Sequence, residues 1–276
     1  MIKKIILLII CLLIIFGFIF YNQSHKTKPV SNQINKEDTL ENKFKNDKYY
    51  IEKNLKRYLN YYQNHEDLSI TKIISDINSN LDKTKYEDTK ESDLNKDTLV
   101  LVNKYYYLKE GYTPEDLITL ASKYNSGINS KMRKEAANAF MEMSDAATLD
   151  NIIIKNASAF RSYEYQVNLY DKYVEKDGKK AADTYSARPG FSEHQTGLCT
   201  DINQIDSGFE QTDAFKWLEK NAHKYGFIIR FPKDKEDITG YQYESWHWRY
   251  VGKKAAEIIK NENITFEEYY AYYVEK

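Results

Sequence analysis

The sequence predicts an α+β fold, and three observations carry that prediction. Helix-period and strand-period segments mix without the β–α–β rhythm of a doubly wound sheet. The helical segments carry their own boundary signals, among them a Thr265–Glu268 capping box and a stop at Gly226. The 276 residues include only 10 Gly and 4 Pro, enough chain for one domain of ordinary size plus a smaller helical piece. The 40 basic and 41 acidic residues leave a net charge of −1, which argues against nucleic acid or another polyanion as partner.

Taken in order, Lys3 and Lys4 precede an unbroken apolar run at 5–20. As a helix it would span roughly 24 Å at about 1.5 Å per residue, slightly short of a hydrocarbon core of about 30 Å. Tyr21 and the lysines can extend it to the interfaces. Residues 1–21 are therefore expected to be a transmembrane signal anchor, with the rest of the chain facing outward. A cleaved signal is the alternative, but no small-residue cleavage site follows Phe20. Residues 22–45 are polar and read as a flexible tether. Residues 46–96 form a helical N-terminal region, because Tyr50, Leu55, Leu59 and Tyr62, then Ile70, Ile73, Ile74 and Ile77, recur at near-helical spacing. Its charged end, 83–97, marks the boundary of a second domain, 97–276.

In that domain 99–108 reads as a strand, rich in Val, Leu and Tyr. Thr113 and Pro114 read as an N-cap and first helical position. A helix is predicted over 130–149, with Met132, Ala136, Phe140 and Met143 on one side. A buried strand follows at 152–160 and a helix at 163–175, ending before Gly178. Then come a short strand at 198–202, a helix at 212–225, strands at 227–231 and 243–251, a helix at 253–260 and a final helix opened by Thr265.

Two stretches carry the chemistry. Ser192, His194, Gly197 and Asp201 form one; Glu244, Trp246, His247 and Trp248 form the other. Together they offer two histidines, an aspartate and a spare glutamate, which is a zinc ligand set plus a general base. Three protein ligands leave a coordination position open, the mark of a catalytic zinc. On one straight strand His194 and Asp201 would stand about 23 Å apart, whereas zinc bonds of about 2 Å require them to converge. The chain must therefore turn, and Gly197 is where it can. The three-residue spacing of Glu244 and His247 fits a helical turn or a bent segment, not a flat strand. His25, His65 and His223 fall in the tether, the helical region and the 212–225 helix, and are read as non-ligands. The two cysteines, Cys11 in the anchor and Cys199 in the first stretch, are too differently placed to pair.

The pattern Ser192-x-His194-x-x-Gly197-x-x-x-Asp201 with Glu244-x-x-His247-Trp248 resembles the zinc D,D-carboxypeptidases of the VanY type. Their superfamily includes LdcB-type L,D-carboxypeptidases, VanX-type dipeptidases and the Hedgehog N-terminal domain. The resemblance runs from about 99 to 252 and takes in Val102 to Lys104, Arg161 to Gln166, Arg188 to Gly190 and Tyr225 to Phe227. It implies a Hedgehog/D,D-peptidase-like zinc domain with a small antiparallel sheet and packed helices. It implies that His194, Asp201 and His247 bind Zn2+, that Glu244 is the catalytic base and that Arg161 holds the scissile carbonyl oxygen. Gln166, Ser192 and Trp246 would contact substrate, while one of Trp246 and Trp248 packs in the core. The implied activity is removal of the terminal D-Ala from peptidoglycan stem pentapeptides by metal-activated water; the N-terminal anchor would place it at the outer face of the cell membrane, and a monomer is expected. The alternatives are an L,D-carboxypeptidase or endopeptidase on stem peptides, or a non-catalytic zinc binding or signalling domain. Two positions depart from the pattern. Ser245 stands where Pro is common. Cys199 stands where Ala is usual and shares a strand face with Asp201; a small buried residue is the simpler reading, a fourth ligand the other.

Overall fold

The computed structural model describes residues 40–275. The apolar run at 5–20, His25 and most of the expected tether lie outside the described residues. Among the described residues no helix is long and apolar enough to cross a membrane. Contacts divide the chain into Met1–Lys48 and Tyr49–Lys276. In the first unit, residues 40–48 are described and begin as helix. The rest of the architecture belongs to the second.

The second unit begins with two short helices, α1 (Leu55–Tyr62) and α2 (Ile70–Asn78). Ser69 caps α2 by accepting from the Lys72 amide. Ile73, Ile74 and Ile77 are buried, as their spacing predicts. On α1 the buried residue is Tyr58, whose hydroxyl donates to Asn78 Oδ1 at 2.6 Å and pins the two helices together.

The strand predicted at 99–108 is mostly irregular. β1 (Lys90–Glu91) pairs in parallel with β2 (Tyr106–Tyr107), while Val100, Leu101 and Val102 are buried before it. Asn103 Oδ1 accepts from the amides of Tyr105 and Tyr106, and this local bond folds the chain into a turn instead of a ladder.

No helix starts at Thr113. β3 (Leu117–Thr119) is followed by β4 (Asn125–Asn129) and by β5 (Lys131–Arg133), with which β3 pairs antiparallel. That long-range pairing overrides the Thr-Pro signal and removes 130–133 from the predicted helix. α3 is Lys134–Leu149, and Ala136, Phe140 and Met143 are buried along one side. β6 (Asn156–Ser158) is shorter than predicted. α4 (Tyr163–Asp177) ends at Gly178, and α5 (Lys179–Tyr185), which sequence reasoning missed, follows at once.

β7 (Cys199–Ile202) precedes α6 (Asp213–Asn221), capped by Thr212; a tight turn continues α6 to Gly226, at φ +86°. β8 (Phe227–Ile229), α7 (Glu236–Thr239), β9 (His247–Tyr250), α8 (Lys253–Glu262) and α9 (Phe266–Tyr269) complete the order. The Thr265–Glu268 capping box opens α9, as predicted.

The principal sheet has the order β4-β6-β7-β9-β8. The expected antiparallel sheet is in fact mixed, because β4 runs parallel to β6 and the other pairs are antiparallel. The cause is the α3 crossover, since parallel neighbours need a long connection. At the centre, Thr200 pairs with Trp248, and Asp201 with His247. Trp248 packs in the main core with Phe140, Phe215 and Phe227. Alternation along the strands sends Asp201 and His247 to the opposite face.

Candidate active site

His194 lies on a tight turn, Glu193–Thr196, which Gly197 ends in the left-handed conformation at φ +66°. The reversal sends β7 back past the turn, so that His194 Nε2 faces Asp201 Oδ2 at 3.6 Å. The second stretch is bent: the His247 amide donates to the Glu244 carbonyl at 3.3 Å. His247 Nδ1 then lies 3.2 Å from Asp201 Oδ1 and 3.6 Å from Glu244 Oε2.

The hydrogen bonds behind these side chains fix which ring nitrogens face the centre. His194 Nδ1 lies 2.7 Å from the Ala159 carbonyl, which can only accept, so Nδ1 carries the hydrogen. His247 Nε2 lies 2.8 Å from Glu193 Oε1. Burial alone would raise the Glu193 carboxyl, but Arg230 and Arg249, with His247, outweigh it and hold it well below the carboxylate range. Glu193 is therefore an acceptor, and Nε2 of His247 donates. In the neutral rings His194 Nε2 and His247 Nδ1 are thus bare lone pairs aimed at the Asp201 carboxylate. His194 Nε2 and Asp201 Oδ1 have no hydrogen-bond partner although both are buried. Three converging electron-pair donors repel one another unless a cation sits among them. The same demand holds both imidazoles above their ordinary value: burial pushes His247 down, but Cys199, Asp201 and Glu193 override it. For His194, burial and Arg161 push down, but Cys199 and Asp201 prevail. Two imidazole nitrogens and a carboxylate fit a divalent metal of the zinc class.

A cleft of about 580 Å³ opens over this centre. All eight predicted site residues line it: Arg161, Gln166, Ser192, His194, Asp201, Glu244, Trp246 and His247. Arg161 opens the approach to α4; its amide donates to the His194 carbonyl at 3.2 Å, and its Nη2 stands 3.6 Å from Asp201 Oδ2. Its buried Nε is unpartnered. Gln166 donates to the Ala187 carbonyl at 2.8 Å, and its buried oxygen is unpartnered. Burial pushes the Glu244 carboxyl up to about 7 against the pull of His247. A second cavity of about 580 Å³ lies beside Phe215, His223, Lys233 and Tyr243 and holds none of these donors. His65 stacks on Tyr61, away from the cleft.

Sequence reasoning did not assign a role to Glu193, Arg230, Arg249 or Glu267. Arg230 Nε donates to Glu193 Oε2 at 2.8 Å, and its Nη2 donates to Glu267 Oε1 at 2.6 Å. Arg249 donates to Glu193 Oε2 at 3.1 Å and to the Val100 carbonyl at 2.8 Å. Both arginines are fully buried. This charge network stands behind His247, as a carboxylate commonly stands behind a metal-binding histidine. The one available signal was an acidic residue directly before His194. Cys199 is also fully buried, two positions from Asp201 on β7.

The VanY family model, described as D-alanyl-D-alanine carboxypeptidase, matches residues 129–253. The Bacillus subtilis (strain 168) protein YodJ is 46% identical over 181 residues, covering 62% of this chain and 66% of that one. The chain spans 64% and 51% of two D-alanyl-D-alanine carboxypeptidases from Enterococcus faecium and Enterococcus faecalis (strain ATCC 700802 / V583). These three relatives thus extend well beyond the matched part. Among solved structures, the LdcB LD-carboxypeptidase is 41% identical, with a TM-score of 0.63, covering 68% of this chain and 92% of its own. A vancomycin resistance D,D-pentapeptidase VanY in complex with Zn(II) is 34% identical, with a TM-score of 0.54, covering 62% of this chain and 98% of its own. On these likenesses the chain belongs to the VanY family of D-alanyl-D-alanine carboxypeptidases.

Proposed function

We propose that this protein is a zinc D-alanyl-D-alanine carboxypeptidase that removes the terminal D-Ala from peptidoglycan stem pentapeptides. One observation carries the reading: the two ring nitrogens that face away from their backing acceptors, His194 Nε2 and His247 Nδ1, converge on the Asp201 carboxylate with Glu244 beside them. His194, Asp201 and His247 would hold the metal, and the VanY relative in complex with Zn(II) supports zinc. When bound, zinc supplies Lewis-acid polarisation and brings the pKa of water to about 7.

The chain's own residues do the rest. Glu244 takes the proton of the attacking water and delivers it to the leaving amine. Arg161, which lines the cleft, donates to the scissile carbonyl oxygen as negative charge builds there. Gln166, Ser192 and Trp246 hold the peptide along the walls of the cleft.

Location and domain layout belong to the same proposal. The apolar run at 5–20 supports a single-pass anchor with the peptidase outside the membrane, joined by the polar tether that begins at residue 22 and whose last residues, 40–45, are helical. The region 46–96 acts as a brace for the domain 97–276: Ser75 Oγ on α2 donates to Glu268 Oε1 on α9 at 2.7 Å.

A second reading, cleavage of the L,D bond of a tetrapeptide, is favoured by the higher likeness to LdcB. The test is to incubate the zinc-loaded chain with defined tri-, tetra- and pentapeptide stems and read the masses. Loss of one D-Ala from the pentapeptide alone supports the first reading. Loss from the tetrapeptide alone supports the second. No cleavage of any stem overturns both.

A further inference from the structure

We propose that Cys199 gives the metal centre a second, sulfur-containing donor set, His194–Cys199–His247, which thiophilic divalent ions such as Cd2+ select. The inference rests on the reading of this site as a metal centre. It concerns a residue that the expected set of His194, Asp201 and His247 does not use.

The Cys199 sulfur and one ring nitrogen from each of His194 and His247 all lie within 4.8 Å of one another. The thiol is not alone there, because the buried His194 Nε2 and Asp201 Oδ1 are both without hydrogen-bond partners. Cys199 and Asp201 are two apart on β7 and share a face, so both reach the same point from one strand. Their approaches differ. Asp201 lines the cleft with the histidines, whereas Cys199 is fully enclosed and is not among the lining residues. The sulfur therefore approaches the centre from the protein interior.

Ion softness separates the two sets. Sulfur favours soft ions over hard ones, whereas the Asp201 carboxylate is a hard donor. Engagement releases the thiol proton to solvent and forms a metal–sulfur bond, with no change of oxidation state. With Asp201 still bound, four protein donors would fill a tetrahedral shell and leave no open position.

The experiment uses the full chain, stripped by a chelator and titrated with Cd2+ or Co2+ while the near-ultraviolet spectrum is read. We expect a sulfur-to-metal charge-transfer band that saturates at one equivalent. It should persist in Cys11→Ser and disappear in Cys199→Ser and in Cys199→Ala. Both Cys199 variants should lose at least tenfold in Cd2+ affinity relative to Zn2+, with folding checked by circular dichroism. Cd2+ bound without the band, or a band that survives in a folded Cys199 variant, overturns the proposal and leaves the zinc reading intact. Failure of the unaltered chain to bind either Cd2+ or Zn2+ overturns both.

Discussion

His247 Nε2 donates to Glu193 Oε1 at 2.8 Å, and both residues are buried. That bond turns the other ring nitrogen, Nδ1, toward Asp201. The other carboxylate oxygen of Glu193 accepts from Arg230 and Arg249, so one residue both orients a metal-facing histidine and neutralises buried charge.

Glu193→Gln should therefore fail in two ways. Removing one partner of a buried ionic network typically costs about 3–5 kcal/mol, which chemical denaturation would read. Loss of the orienting carboxylate should also weaken zinc about 10–100-fold, measured by chelator competition. Undiminished zinc affinity in the folded variant would show that Glu193 does not orient His247.

Glu244→Gln separates binding from turnover. The amide keeps the shape of the side chain but cannot take a proton, so kcat should fall about 10²–10⁴-fold while zinc stoichiometry stays at one. Full turnover by the zinc-loaded variant would remove Glu244 from the role of base.

Arg161→Lys keeps the charge but loses the planar fork. With the guanidinium donating to the developing oxyanion, kcat should drop by roughly 10²–10³-fold, with a smaller change in KM. A change confined to KM would instead mean that Arg161 binds the peptide without stabilising the reaction.

Chelation should lower both activity and melting temperature, and zinc should restore them. At a zinc concentration of 100 times its Kd, linkage predicts about 2.7 kcal/mol of added stability. His194→Ala should abolish that zinc-dependent rise, which differential scanning calorimetry can follow.

Gly197→Ala tests the turn. The residue sits at φ +66°, and a Cβ would approach the Leu117 side chain to 2.7 Å. The backbone term alone is about 1–2 kcal/mol, and movement of the turn would displace His194. Loss of stability together with weaker zinc binding is expected. An unchanged denaturation midpoint would mean that the turn accommodates a side chain.

Legibility followed the range of the interactions. Thr212, Thr265 and Gly226 act through hydrogen bonds and backbone angles within one turn of helix, so their helices could be read directly. Thr113 and Pro114 gave an equally clear local signal, yet pairing of Leu117–Thr119 with Lys131–Arg133 overrode it. The strand expected at 99–108 yielded to Asn103, whose side chain captures two backbone amides. The parallel pairing of β4 with β6 depends on the α3 crossover and leaves no periodicity in the strands themselves.

By itself, the sequence determined the kinds of donor in the candidate centre, their order along the chain, the need for a reversal near Gly197, and the presence of a spare carboxylate three residues before His247. Only the tertiary structure decided which nitrogen of each ring faces inward, that Glu193 rather than water backs His247, and that Cys199 lies beneath the centre rather than on the cleft wall. The physical reason is distance along the chain. Glu193 stands 54 residues from His247 and 37 from Arg230, and His194 stands 35 from Ala159. Bonds of that range form when the sheet and the turn are assembled together, and no local pattern announces them.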